Sequence, residues 1–512
     1  MRRTKIICTI GPASDSKEVM ESLILNGMDV ARINTSHSNE EDVVKKVNLI
    51  RDISTKHGKN TAIMLDLQGP KIRIGNLKEE ILLEDNQLIS FIDKSFNESI
   101  VDKNKSLLES EIKKLLENDS FKEIKEKDFL KSNEIIFEKL LKIKVEYDNF
   151  LNDIKEGFSI FIDDGLLECR ILKIDRKFNI AFAIVVKGGI LKSNKGINLP
   201  GISVSIDSVT QKDLFFLNLG IKLKVDFIAQ SFVRAAQDIK IVKDIIANNN
   251  SKIMVISKIE KHEAIKNFDS ILKITDGVMV ARGDLGIELP QEVVPIIQKD
   301  IIKRTNLVGK PVITATQMLD SMIRNPRPTR AEVSDVSNAI FDGSDALMLS
   351  GETAMGAFPV EALKMMVKII EKTEENIDYK EILQKKFLLK NRTTTEAISF
   401  AACEIASELN LKAIITATQS GSTARQVSKN RPKSIIIGTS PDETVVRQLM
   451  ISWGVIPELT KFKENVNEMI CEIVKTSKKI KLIKKGDKVI ITGGILVSKP
   501  GSTNFLHVKE ID

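Results

Sequence analysis

Along the first 66 residues, apolar runs alternate with amphipathic stretches. "KIICTIG" opens at Lys5, and a helical pattern follows from about Ser16 to Asn26. Then come "MDVARIN", a second helical pattern from about Glu40 to His57, and "TAIMLDL". Continuous apolar runs rich in β-branched residues, separated by helices, predict parallel strands. The rhythm stops at Gly69 and resumes after "NLPGISVS" (Asn198–Ser205). It then gives "VDFIAQSF", "KIMVISKIE", "DGVMVARGD", "KPVITATQM" and "DALMLSGET", each followed by a helical pattern. Three early and five late units make eight, which predicts an α/β chain built on a closed (β/α)8 TIM barrel.

The pattern also divides the chain. Residues 1–71 and 206–376 carry the barrel. Residues 72–205 interrupt it after the third strand, and "FSIFIDDG", "LECRILKI" and "IAFAIVV" give them the short strands of a small β domain. Residues 377–512 alternate again ("SIIIGTS", "KVIITGGI") and form a separate C-terminal α/β domain. One stretch near 96–134, rich in Lys, Glu, Asn and Ser, departs from this style. Leu108, Ile112 and Leu115 at helical spacing make it either a solvated helical excursion or a partner site.

Bulk composition narrows the classes. A chain of 512 residues is too long for one core. Net charge is only +7, and aromatics are 5%, which does not point to nucleic acid but suits anionic small substrates. No apolar run has the length of a membrane span. The N-terminal run from Ile6 to Ile10 is too short for a secretory core. Cys8, Cys169, Cys403 and Cys471 lie far apart without metal spacing, so reduced thiols in a cytoplasmic protein are expected.

The active site of such a barrel lies at the C-terminal ends of its strands. Those ends carry Arg32 and Asn34, Asp66, Ser231, Lys258 and Glu260, Arg282 and Asp284, Thr314 and Thr316, and Ser350 and Glu352. Taken singly, each could be a loop polar group or a structural ion pair, but seven strands ending this way together point to a site. Glu260 and Asp284 are hard oxygen ligands suited to Mg²⁺. Lys258, two residues before Glu260 on a strand, shares its side. A cation beside a metal pair, without a nucleophilic Cys–His pair, a P-loop or a zinc motif, fits direct phosphoryl transfer.

At this point the motifs resemble a known family. "TKIICTIGPAS", "MDVARINTSHS", "LDLQGPKIR", "ISKIE", "VARGDLGIE", "PRPTRAEVSDVSNAIFDGSDALMLSGETA" and "SGSTARQVSKNRP" are similar to pyruvate kinases over nearly the whole chain, except about Phe96–Glu134. The resemblance implies transfer of the phosphoryl group of phosphoenolpyruvate to ADP, with Mg²⁺ as cofactor and Mn²⁺ as an alternative. It also implies a homotetramer and a lid made by the inserted domain. Lys258 would neutralise the phosphoryl group in flight and Arg32 would contact it. Glu260 and Asp284 would hold the metal, while Gly283, Asp284 and Thr316 would meet the substrate carboxylate. Asn34, His37, Arg73 and Lys195 would serve ADP, and Ser350 and Glu352 would relay the proton. Asp163 and Asp164 in "FIDDG" either close onto the barrel or form a plain turn.

Many members bind K⁺ through residues matching Asn34, Ser36, Asp66 and the next residue, here Leu67. This chain has Leu67, Gln68 and Lys71 where those members have Thr, Lys and Glu. The Lys71 ammonium would then replace K⁺; alternatively it is a solvated hinge residue and K⁺ still binds. The loop Thr418, Ser420, Gly421, Ser422 and Thr423 resembles the family's cradle for a phosphorylated effector, partly closed by Lys499–Leu506. Ordinary helix capping explains its hydroxyls equally well. Rival readings are a non-catalytic metabolite-binding homologue and a barrel lyase acting on phosphoenolpyruvate.

Overall fold

The computed structural model describes residues 2–96, 107–108, 110, 140–388, 392–494 and 503–511. The Lys/Glu-rich stretch near 96–134 falls almost wholly outside them. Eight parallel strands close a barrel: Lys5–Ile10, Val30–Asn34, Ala62–Asp66, Phe227–Gln230, Met254–Ile259, Gly277–Ala281, Val312–Ala315 and Ala346–Leu349. They follow one another round the ring in chain order, and the first closes on the last through Lys5 opposite Ala346.

Alternation explains why these runs are apolar throughout. Ile7, Met64, Ile256, Ile313 and Met348 fill the barrel interior, whereas Ile6, Cys8, Ile33 and Leu65 face the surrounding helices. Ile451, from the C-terminal block, belongs to the interior cluster. The helices begin where capping side chains stand. Ser16 caps Lys17–Asn26, Asn39 caps Glu40–Lys56, and Thr210 with Asp213 forms a capping box on Gln211–Lys222.

The chain leaves the third strand through Gly69, whose φ is +69°, and Pro70. It then builds a six-stranded sheet ordered Ile197–Asn198, Ser159–Ile162, Leu167–Asp175, Ile180–Lys187, Leu88–Ile92 and Leu141–Lys144. A separate pair joins Ile81–Leu83 to Gly189–Leu191. Phe91, Phe150, Ile160 and Ile162 are buried in its core. The sequence pattern shows three of these strands and hides the others. The C-terminal sheet runs Val455–Leu459, Ile435–Ser440, Ala413–Ala417, Lys488–Gly493 and Phe505–Glu510, with only the last strand antiparallel. It meets the barrel through Arg431, whose guanidinium donates to Asp345 at 2.8 Å and Gly343 O at 2.7 Å. All four cysteines are free thiols. Among the described residues, no helix is long and apolar enough to cross a membrane.

Candidate active site

Asp66 ends the third strand and is 1% exposed. From the second strand, Arg32 Nε donates to Asp66 Oδ2 at 2.7 Å and Nη1 donates to Thr9 Oγ1 at 2.8 Å. Lys258 reaches the same carboxylate from the fifth strand. Its Nζ lies 3.2 Å from Asp66 Oδ1, 2.7 Å from Ser231 Oγ and 2.9 Å from Glu260 Oε1. Burial alone would raise the Asp66 pKa, but the charges of Arg32 and Lys258 outweigh it and hold the carboxyl below its ordinary value. Burial alone would likewise lower Lys258, and Asp66 and Glu260 outweigh it, so the ammonium stays charged.

Glu260 and Asp284 complete the other side. Glu260 is 1% exposed, and its Oε2 accepts the Phe232 amide at 2.9 Å. Its Oε1 has no hydrogen bond of sound geometry, although the Lys258 ammonium stands beside it. Asp284 sits in the first turn of the helix Arg282–Glu288. Burial, and then the charge of Glu260, push its carboxyl up to about 6. A buried and a half-buried carboxylate that repel each other fit a divalent cation, whose charge would offset that repulsion. Among the described residues no cluster of three or more His, Cys, Asp or Glu could hold a metal, so the pair would share the ion with water or substrate oxygens.

The loop after the seventh strand is strained. Thr316 and Gln317 have φ of +70° and +54°, unusual above all for a β-branched residue. Arg282 holds this loop, donating to Thr316 O at 2.7 Å while its other arm meets Asp335 at 2.7 Å. Arg282 therefore braces the wall and does not enter the mouth. Thr314 is also withdrawn, bonded to Ser344 at 2.7 Å. The Gly283 amide donates to Thr316 Oγ1 at 2.8 Å, which brings those two predicted residues together. Glu352 is buried, which raises its pKa, and accepts the amides of Leu319 at 3.0 Å and Ser350 at 2.7 Å. Ser350 Oγ is buried without a partner.

On the side facing the inserted domain, Asn34 Oδ1 accepts the Ser36 amide at 3.0 Å, and Thr35 Oγ1 donates to Asp66 O at 2.8 Å. Leu67 O accepts Ser231 Oγ at 2.7 Å. Asn34, Ser36, Asp66 and Leu67 thus lie together at the ends of two neighbouring strands. Lys71 does not join them: its Nζ lies 3.8 Å from Asp164, and its stem lies against Gly196. Asp164 of the "FIDDG" turn thus faces Lys71, and the charges of both act on Asp284. Lys195 Nζ donates to Asp163 at 2.9 Å, and Arg73 Nη1 donates to Asn194 O at 2.8 Å. His37 ends the turn Thr35–His37, and its side chain lies outside what the structure describes.

Two residues here escape sequence reading. Lys212 Nζ donates to Ser36 O at 2.7 Å and Gln68 Oε1 at 3.1 Å. Burial lowers its pKa, with Asp213 opposing and Arg73 adding to the effect. The capping box Thr210–Asp213 marks the helix start in the sequence, but nothing there aims its second residue at the mouth. Phe232 is the other, since a backbone amide leaves no mark on a sequence.

In the C-terminal domain, Gly421 (φ +79°) opens the short helix Ser422–Ser428. Thr423 Oγ1 is bonded to Thr503 Oγ1 at 2.8 Å, and Ser420 O accepts Arg425 Nη2 at 2.7 Å. Thr418 is buried, its amide donating to Thr439 O at 3.0 Å. The segment leading into the last strand therefore meets the loop at Thr503, while residues 499–502 fall outside the described ones.

A closed parallel barrel with buried cations and a carboxylate pair at its mouth defines an enzyme that handles anionic substrates. Comparison with known proteins narrows this. The family model described as "Pyruvate kinase, barrel domain" matches residues 1–123 and 123–363, and "Pyruvate kinase, alpha/beta domain" matches residues 396–509. The chain is 42% identical over 511 residues to a pyruvate kinase of Staphylococcus aureus, covering 100% of this chain and 81% of that protein. It is 42% identical over 513 residues, at the same coverage, to one of Staphylococcus saprophyticus. The crystal structure of a pyruvate kinase from Cryptosporidium parvum is similar, with a TM-score of 0.86 and 34% identity over 100% of this chain and 96% of that one. The chain belongs to the pyruvate kinase family and is a phosphotransferase.

Proposed function

We propose that this chain transfers the phosphoryl group of phosphoenolpyruvate to ADP, giving pyruvate and ATP. The observation that carries the reading is Lys258, an ammonium held among Asp66, Ser231 and Glu260 beside the second carboxylate of Asp284. A degenerate homologue would be expected to have lost part of this set. Arg32 and Lys258 hold the phosphoryl group and offset the repulsion as two anions approach. The Gly283 amide and the Thr316 hydroxyl exchange their mutual bond for the substrate carboxylate. Ser350 and buried Glu352 hold and move the proton that the enolate takes up. Asn34, His37, Arg73 and Lys195 serve ADP, and the position of Lys212 beside Ser36, with Arg73 near enough to shift its pKa, supports adding it to them.

A divalent cation, Mg²⁺ or alternatively Mn²⁺, would be held by Glu260 and Asp284 and would neutralise charge on substrate oxygens. Residues 72–205 act as a lid that keeps water from the reacting group. Lys71, standing beside Asp164 and apart from Asn34, Ser36 and Asp66, supplies a tethered positive charge in place of the one K⁺ supplies in many relatives. The reach of its charge to Asp284 supports a role at the mouth, not in solvent. The loop Thr418–Thr423 takes a phosphorylated effector, and the enzyme works in the cytoplasm as a homotetramer. A response to at least one of a panel of phosphorylated metabolites is expected, and Ser420→Ala should weaken it.

A coupled assay with phosphoenolpyruvate, ADP and Mg²⁺ tests the whole reading. Turnover on the order of 1–100 s⁻¹ is expected, and it should persist in K⁺-free buffer. Absence of pyruvate formation would sink the catalytic reading, and strong K⁺ activation would remove only the role given to Lys71.

A further inference from the structure

Phe232 follows Ser231 at the end of the fourth strand, and its φ is +55°. A bulky residue in the left-handed region persists only where its surroundings fix it. Three contacts do so here. Its amide donates to Glu260 Oε2 at 2.9 Å. Its ring lies against the lid hinge, so close that a β-carbon on Gly69 would stand 2.8 Å from Cδ2. The Lys261 ammonium stands 5.1 Å from the ring centroid and is itself tied to Glu288. The ring also lines a crevice with Pro70, Ile72 and Ile197, all on the path into the lid. One residue thus touches the hinge with its side chain and a carboxylate of the mouth with its backbone.

We propose that Phe232 is a positioning residue that couples the lid hinge to the metal pair. The ring, gripped between Gly69 and Lys261, keeps the amide aimed at Glu260 Oε2, so that Oε1, with only the Lys258 ammonium beside it at 2.9 Å, is the oxygen turned to the cation. The inference rests on the reading of Glu260 and Asp284 as that pair. The Phe232 ring would not ligate the ion, so its effect on affinity passes through the amide that it holds on Glu260 and not through a lost ligand.

The test is titration of the full-length protein with Mn²⁺ alone, followed by electron paramagnetic resonance without substrates. Phe232→Ala should bind Mn²⁺ about tenfold more weakly, the usual effect of removing a group that orients a metal ligand. Phe232→Leu should fall between it and the parent, and Gly69→Ala, which pushes from the hinge on the ring and on the adjoining Ser231, should weaken binding as well. Thermal melting identifies the variants that fold. Parental affinity in folded Phe232→Ala would overturn the proposal. If that variant does not fold, parental affinity in Phe232→Leu and Gly69→Ala overturns it equally. Glu260→Gln and Asp284→Asn separate the two levels. Loss of Mn²⁺ there with no change in the Phe232 and Gly69 variants refutes only the coupling, whereas parental binding there refutes the metal pair and the coupling with it.

Discussion

The Asp66 side and the Asp284 side of one barrel mouth handle their carboxylates in opposite ways. On the first, Arg32 and Lys258 reach both oxygens, and the pKa falls despite burial. On the second, burial and Glu260 act together, and the carboxyl rises to about 6. The protein completes the first set of charges with its own side chains and leaves the second to be completed by something it binds. A buried charge left without such compensation is costly. The contrast shows which part of the mouth is scaffold and which part is receptive.

Substitutions can break this contrast from either side. The largest effect is expected from Lys258→Met, which strips the completed side and leaves Asp66 and Glu260 short of a cation. Turnover in the coupled assay should fall on the order of 10³-fold; a loss under tenfold would show that Lys258 only supports the fold. Asp284→Asn acts on the receptive side. Between the ordinary aspartate value and about 6, the folded protein holds a proton that the unfolded chain releases, so stability falls as pH rises through that window. The metal-free Asn variant should therefore melt a few degrees above the parent near pH 7. The gap should close as pH falls to about 4. An equal gap at both pH values would mean that Asp284 is not the strained acid. The smallest effect is expected from Lys71→Glu, which changes one partly exposed charge at the edge of the receptive side. About a tenfold loss in K⁺-free buffer, recovered on adding K⁺, would sharpen the comparison. Equal activity with and without K⁺ would place Lys71 outside it.

How far the sequence could reach depended on how local each feature is. Strands such as Ala62–Asp66 and Ala346–Leu349 are legible because every position is buried, and a run of buried residues is a run of apolar letters. Asp66, Lys258 and Glu260 are legible because a charge at the end of such a run needs a reason. Direction is less legible. Arg282 and Thr314 share the motif positions of mouth residues, yet Arg282 turns to Asp335 and Thr314 to Ser344. Those partners lie 53 and 30 residues further along, and no local pattern specifies them. Lys212 is hidden for the same reason, since it meets Gln68 across 144 residues. Phe232 is hidden more deeply, because its contribution is a dihedral angle and an amide. The short strands Leu88–Ile92 and Leu141–Lys144 are lost between polar neighbours of the inserted domain.

The closure of the barrel also sets a schedule for its synthesis. Thr9 meets its partner Leu349 only 340 residues later, about 20–70 s behind on a translating ribosome. Until then the first strand has no neighbour on that flank, and a bare strand flank invites pairing with another chain. Ile451, which belongs to the interior cluster, arrives later still. A fragment ending before Ala346 should therefore be prone to clumping in the cell.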